Sequence, residues 1–406
     1  MTGQPEHVLI VGAGLGGLRT AEHLRSAGYQ GRISLVGDEP HAPYDRPPLS
    51  KQVLTGDWEP DRIVLSTLDA LDDLGVRAHL GLRAVGIAPG EIALSDGASL
   101  HADAIVIATG MEARTLPGQP PHVHTLRTLD DSLALRERLR RSRSLLIVGG
   151  GFIGAEVASA AVTLGIPDIT VLEAMQVPAA RALGTELGTL AARLLSESGP
   201  KLRTGVTITR FLDAGERVAV ELADGTTVEA DAGVVGIGGT PRLDWLDGTG
   251  LDVTRGLICS PSGRVQGLDG VWALGDVALW EDPHTGGPHR CEHWTNAGDQ
   301  AVVVARDILD AAPPQTTVPY FWSDQFGLKI QLIGRAELGE GEILPLHGEG
   351  LKGGQIRGTV AAYFANDRLV AVGGFGAARL IARYRPLVAD GADRATVLAT
   401  AAKLGG

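Results

Sequence analysis

"LIVGGGFIGAE", residues 146–156, joins an unbroken apolar run to a glycine-rich turn and the start of a helical pattern. The run is short and has no polar alternation, as suits a parallel strand buried on both faces. Gly149-x-Gly151-x-x-Gly154 follows at once, and "AEVASAAVTLG" continues with helix-favouring residues. The next apolar run, "DITVLE", ends on Glu173. Strand, glycine turn, helix, strand and closing acid form the context in which such glycines cradle a dinucleotide. The glycines permit a sharp turn and bring backbone N–H groups to a pyrophosphate at the helix N-terminus. The acid then accepts hydrogen bonds from an adenosine ribose.

The same grammar occurs earlier. "HVLIVG" (7–12) reads as a strand, Gly12-x-Gly14-x-x-Gly17 as the turn, and "LRTAEHLRSAG" as a helix with Leu18, Ala21, Leu24 and Ala27 on one face. "RISLVGDE" then reaches Asp38. Two cradles most simply mean two dinucleotides, the alternative being a duplicated fold in which one site is dead. "AIVIATG" (104–110), "GVVGIGGTP" (233–241) and "GVWALGD" (270–276) read as further strands. "PYFWSDQFGLKIQLIG" opens a segment rich in β-type residues that "DRATVLATAAKL" closes with a helix. The expected fold class is α/β, with two Rossmann-like dinucleotide-binding domains followed by a C-terminal α+β domain. The expected boundaries are residues 1–112 and 241–318 for a discontinuous first domain, 113–240 for the inserted second and 319–406 for the last.

Composition narrows the class. The 406 residues are 44% hydrophobic and 21% charged, ordinary for a soluble globular chain. The formal charge of −12 argues against nucleic acid as a partner. No apolar run reaches the roughly 18–20 residues that span a bilayer. The sequence enters its first strand without a charged and apolar leader, so a cytoplasmic location is expected. The two cysteines, Cys259 and Cys291, form no C-x-x-C or C-x4-C pair, which excludes a dithiol relay. His289, Cys291 and His293 could suggest a metal, but no partner motif accompanies them and none is expected. His122 and His124 read as loop residues, and "RERLRRSR" (136–143) as the exposed face and end of a helix.

With the "ATG" and "ALGD" strands in view, the chain resembles the two-dinucleotide flavoprotein reductases of the glutathione reductase fold. "PYDRPPLSK" (43–51) and "YFWSDQ" (320–325) narrow the resemblance. They are similar to the NADH-dependent, FAD-containing ferredoxin reductases of the putidaredoxin reductase and biphenyl dioxygenase reductase family. These serve cytochrome P450s and aromatic-ring dioxygenases. The resemblance implies FAD at the first cradle, with Gly12, Gly14, Leu15 and Gly17 at its pyrophosphate and Asp38 at its ribose. It implies Lys51 beside the isoalloxazine, Ala84 at the adenine, Arg127 near the cofactor, Asp276 at the ribityl chain, and Trp294 and Trp322 against the flavin. Thr109, closing the "ATG" strand, joins the cofactor contacts. NADH would take the second cradle through Gly151, Phe152, Ile153 and Gly154, with Glu173 on the ribose. Glu156 would face the nicotinamide, Arg181 the adenosine phosphate and Gly239 the passing chain. The resemblance further implies that Lys51 and Glu156 pair. One departure is Val177-Pro178, where relatives often carry a basic residue soon after the ribose acid.

NADH delivers two electrons as a hydride, whereas an iron–sulfur protein takes one at a time, and a flavin connects the two regimes. Disulfide reductases of this fold pass electrons to a cysteine pair just after the first helix. Here that stretch is "PYDRPPLSKQVLTG", so electrons must leave the flavin directly. The expected activity is NADH:ferredoxin oxidoreductase, with a transiently bound [2Fe-2S] ferredoxin as partner and a monomer or weak homodimer as the assembly. Residues 319–406 carry ten Lys/Arg against eight Asp/Glu, a less negative region that suits an acidic ferredoxin. Arg306, Lys329, Arg335, Arg379 and Arg383 are the candidate contacts. The alternatives are a rubredoxin reductase, an NADH oxidase or peroxidase, and a non-enzymatic flavoprotein resembling apoptosis-inducing factor that switches interactions on binding NADH.

Overall fold

The computed structural model describes residues 4–282, 286–314 and 317–405. Its contacts divide the chain into two compact units: residues 1–45, 61–112 and 239–317, and residues 46–60, 113–238 and 318–406.

The first unit is built on a five-stranded parallel sheet. In spatial order its strands are Val271–Ala273, Ala104–Ile107, His7–Val11, Arg32–Gly37 and Val76–Leu80. Every residue of His7–Val11 is buried, as its unbroken apolar run requires. The helix Leu15–Ser26 returns over the sheet and lays Leu18, Ala21 and Leu24 against Val8, Ile10, Ile33 and Leu35. Leu9, Val11, Ile105 and Ile107 face the other way, into a core shared with Ile92, Trp245 and Leu257. A small antiparallel sheet, Ala84–Ala88, Glu91–Leu94 and Ser99–His101, supplies part of that second layer.

The second unit repeats the design with four parallel strands: Lys201–Thr204, Asp168–Glu173, Ser144–Val148 and Ala232–Val235. Its C-terminal part is a five-stranded antiparallel sheet running Tyr320–Gln325, Leu328–Gly334, Arg368–Phe375, Thr359–Ala365 and Leu344–His347. Alternation along these strands loads both faces. Ala361, Tyr363 and Phe375 pack on Leu183, Leu187 and Leu190 of the helix Ala180–Glu197. Val360, Ala362 and Phe364 pack on Ile381, Tyr384 and Val397 of the two closing helices, Ala378–Ala389 and Arg394–Leu404.

Two boundaries therefore differ from the sequence expectation. The dinucleotide module and the C-terminal sheet share one core, because the helix Ala180–Glu197 presents its apolar face to that sheet. Residues 46–60 also pack in the second unit. There Leu54 enters the core of Leu135, Leu139, Ala155 and Ala158, and Ser132 Oγ donates to the carbonyl of Leu49 at 2.7 Å. Charge divides along the same lines. The first unit holds 11 Lys/Arg against 24 Asp/Glu, a net −13, and the second 25 against 24, a net +1. Among the described residues no helix is long and apolar enough to cross a membrane.

Candidate functional site

In the first unit Gly12 has φ +118°, a conformation that favours glycine, and a Cβ there would fall on the carbonyl of Ala108. A Cβ on Gly17 would strike the carbonyl of Gly12, so this glycine lets the helix approach the turn. Gly14 differs: its backbone is extended and a Cβ would meet nothing within 4 Å. The space before it is open, and no side chain caps the helix that begins at Leu15. Its first N–H groups therefore face outward as donors. Thr109 Oγ1, at the end of the adjacent strand, is buried with no hydrogen-bond partner. An open cradle, uncapped donors and an orphaned hydroxyl fit a pyrophosphate-bearing cofactor.

Asp38 follows the strand Arg32–Gly37 and lies 3.5 Å from Arg242 Nη1, whose Nε donates to Glu112 Oε2 at 2.6 Å. Ala84 is buried at the start of its strand. Asp276 sits in the 3-10 turn Gly275–Val277, and Gly275 N donates to Gln300 Oε1 at 2.7 Å. Trp294 opens the helix Trp294–Ile308, remains 37% exposed, and donates its Nε1–H to Asp45 Oδ1 at 2.7 Å.

The second unit carries the matching cradle. Gly149 has φ +103°, a Cβ there would fall on the carbonyl of Gly236, and one on Gly154 would strike the carbonyl of Gly149. Gly151, like Gly14, faces open space. Phe152 begins the helix Phe152–Thr163 with its ring 4.3 Å from that of Phe321, and Ile153 beside it stays 43% exposed. Glu173 closes its strand and is fixed by two backbone donors, Gly150 N and Met175 N, each at 2.7 Å. Arg181 is exposed near the start of the helix Ala180–Glu197. Arg127 N donates to Asp131 Oδ2 at 2.9 Å, and its carbonyl accepts from Arg46 Nη1 at 2.6 Å. Gly239, at the return to the first unit, lies where a Cβ would come 2.9 Å from the Glu112 carbonyl.

Lys51 and Glu156, 105 positions apart, meet: Lys51 Nζ lies 2.8 Å from Glu156 Oε2, and both side chains are largely buried. Ser50 Oγ and Ser323 Oγ each donate to the same carboxylate at 2.5 Å. Reading the sequence missed these two hydroxyls, although they lie inside the quoted "PPLSK" and "FWSDQ" stretches. On the strand of Ser323, Trp322 stacks with Tyr320 at 5.8 Å and has Lys329 Nζ 5.7 Å from its centroid. Lys329 pairs with Asp324 at 2.7 Å and Arg335 with Glu337 at 2.8 Å. Arg379 and Arg383 stand exposed on the helix Ala378–Ala389, which contains no acidic residue, and Arg306 belongs to the first unit. Among the described residues no group of three or more His, Cys, Asp or Glu could hold a metal ion.

This paired architecture has known counterparts. Residues 6–301 match the family described as pyridine nucleotide-disulphide oxidoreductase, and residues 320–403 match the reductase C-terminal domain. The chain belongs to the pyridine nucleotide-disulphide oxidoreductase family. It is 39% identical to the benzene 1,2-dioxygenase system ferredoxin–NAD(+) reductase subunit of Pseudomonas putida, over 83% of this chain and 82% of that one. It is 36% identical to rhodocoxin reductase of Rhodococcus erythropolis, over 80% and 78%. The covalent putidaredoxin reductase–putidaredoxin complex contains a chain that superposes with a TM-score of 0.90 at 28% identity, covering 98% of each. Within a family named for disulphide chemistry, this member has no cysteine pair to reduce. Cys259 is fully buried, and burial pushes its thiol up to about 12, so it stays protonated and inert.

Proposed function

We propose that this oxidoreductase takes hydride from NADH onto FAD and passes single electrons to a [2Fe-2S] ferredoxin serving a cytochrome P450 or an aromatic-ring dioxygenase. The observation that carries this reading is the pair of open glycine cradles in a chain without a dithiol. The names of the relatives point to the same acceptor class, and a reductase drawing on the cell's NADH belongs in the cytoplasm.

FAD, when bound, accepts a hydride's two electrons and releases them one at a time. Gly12, Gly14, Leu15 and Gly17 would hold its pyrophosphate, with Asp38 on the ribose and Thr109 Oγ1 donating its unused proton. Ala84, Arg127, Asp276, Trp294 and Trp322 complete the proposed flavin contacts. Gly151, Phe152, Ile153 and Gly154 would hold NADH, with Glu173 on its ribose and Arg181 and Gly239 along the chain. Lys51 and Glu156 form a neutral buried pair that places one ammonium for the hydride-transfer step without adding net charge. Breaking such a pair on one side costs roughly 3–5 kcal/mol. Lys51→Met should therefore slow flavin reduction more than it weakens FAD retention.

The acceptor is tested directly. NADH-driven cytochrome c reduction should require added ferredoxin, with a KM for ferredoxin that rises with ionic strength. Lys329→Glu should raise that KM and leave flavin reduction by NADH unchanged. Rapid turnover with oxygen alone, and no gain from any ferredoxin in a broad panel, would make the enzyme an oxidase and sink the reading.

A further inference from the structure

Glu156 lies on the helix Phe152–Thr163 and is only 4% exposed. Its carboxylate is gripped from two other stretches of the chain. Oε2 accepts from Ser50 Oγ at 2.5 Å and from Lys51 Nζ at 2.8 Å, and Oε1 accepts from Ser323 Oγ at 2.5 Å. Ser323 is fully buried on the strand Tyr320–Gln325, and Gln325 Nε2 donates to its hydroxyl at 3.0 Å. An amide nitrogen can only donate, so Ser323 Oγ must accept there and its single proton must point to Glu156. Lys51 Nζ is fixed on its other side by the carbonyl of Pro47 at 3.0 Å. Among the described residues Lys51 is the ionisable group within ion-pair distance of Glu156, while Asp324 on the same strand as Ser323 pairs with Lys329.

We propose that Ser323, oriented by Gln325, is a positioning residue that fixes the Glu156 carboxylate and, through it, the Lys51 ammonium for hydride transfer. The proposal rests on the reading above that the Lys51–Glu156 pair serves this step. A hydroxyl suits the task because it satisfies Oε1 without a second cation, which would leave the buried group with a net charge. Without it a buried carboxylate oxygen has no donor, and the side chain is free to turn about its remaining contacts. The C-terminal sheet thus acts on the dinucleotide module through one proton.

The test uses the FAD-loaded full chain in rapid-mixing reduction by NADH. Ser323→Ala should lower the limiting rate about tenfold to a hundredfold, the usual effect of a misplacement near 1 Å, with the NADH dissociation constant unchanged. Ser323→Thr, which restores a hydroxyl, should recover most of the rate. The flavin midpoint potential, read without NADH, should move in Ser323→Ala in the same direction as in Lys51→Met, and less far. Gln325→Leu keeps the hydroxyl but frees its proton, so it should show the same signs more weakly, and it serves should Ser323→Ala fail to fold. Wild-type rate and potential in both Ser323→Ala and Gln325→Leu, with both quantities altered in Lys51→Met, would overturn the proposal. Wild-type values in Lys51→Met as well would instead overturn the role of the pair.

Discussion

Gly14 and Gly17 stand three positions apart in one motif, yet their surroundings assign them different duties. A Cβ at Gly14 projects into open space, whereas one at Gly17 collides with the Gly12 carbonyl. Gly14→Val should therefore fold with an unchanged apo melting temperature and retain little FAD after gel filtration. Gly17→Ala should lower the melting temperature itself, through a loss of stability of the roughly 1–3 kcal/mol typical of overpacking. The reverse pattern would refute the division of labour. Glu173 allows a second residue-scale expectation. Two backbone N–H groups hold its carboxylate at the strand end, where it would bond a ribose diol and repel a 2′-phosphate. kcat/KM for NADH should exceed that for NADPH by at least about tenfold, or 1.4 kcal/mol. Glu173→Ala should narrow the gap, and equal values in the wild type would contradict the assignment. The turns at Gly12 and Gly149 were legible, because a glycine motif declares its geometry. Ser323 was not: a serine in a strand shows no sign of its partner until residues far away in sequence are folded beside it.

At the scale of elements, legibility followed the range of the interaction. The runs "HVLIVG", "AIVIATG" and "GVWALGD" became strands of one parallel sheet because a short apolar run flanked by turns leaves little alternative. The transfer of residues 46–60 to the second unit left no such trace, since Leu54 would be apolar in either core. The hairpin joining Tyr320–Gln325 to Leu328–Gly334 was hidden as well. Its two-residue turn is Phe326-Gly327, with φ of 48° and 71°, at a place where Asn-Gly would have announced a tight turn. Phe326 is held there by tertiary contacts: its N–H donates to Ser159 Oγ at 2.8 Å and its ring packs between two cores. Histidines within the elements supply a prediction. His7 Nδ1 lies 2.5 Å from the His101 carbonyl and Nε2 2.9 Å from Ser34 Oγ, an arrangement suited to a neutral ring. Burial holds His7, His23, His79, His124 and His347 below the ordinary value of 6.5. Below that value the unfolded chain takes up protons that the folded chain resists, so stability is full above it and declines as pH falls. Melting temperature should drop between pH 7.5 and 5.5, and His7→Asn should flatten part of that slope. A slope that vanishes in neither the wild type nor the variant but is identical in both would remove His7 from the account.

For the molecule as a whole, two properties stand out: its charge division and the path of its chain. The net negative charge belongs to the first unit, whereas acids and bases nearly cancel in the second, so an acidic partner is repelled by one half of the protein and tolerated by the other. This long-range term underlies the salt dependence expected for the ferredoxin, since transient electron-transfer contacts are small and gain much from steering. The chain crosses between the units five times. That path matters before the protein exists as a finished object. The strand Ala104–Ile107 is buried along its whole length, and its outer neighbour Val271–Ala273 is encoded more than 160 residues later. At about 5–20 residues per second, a ribosome leaves that sheet edge without its partner for roughly 8–30 s. Throughout that interval the exposed edge can recruit any other nascent strand, so the tempo of translation, and the company of chaperones, should govern how much active enzyme a cell recovers.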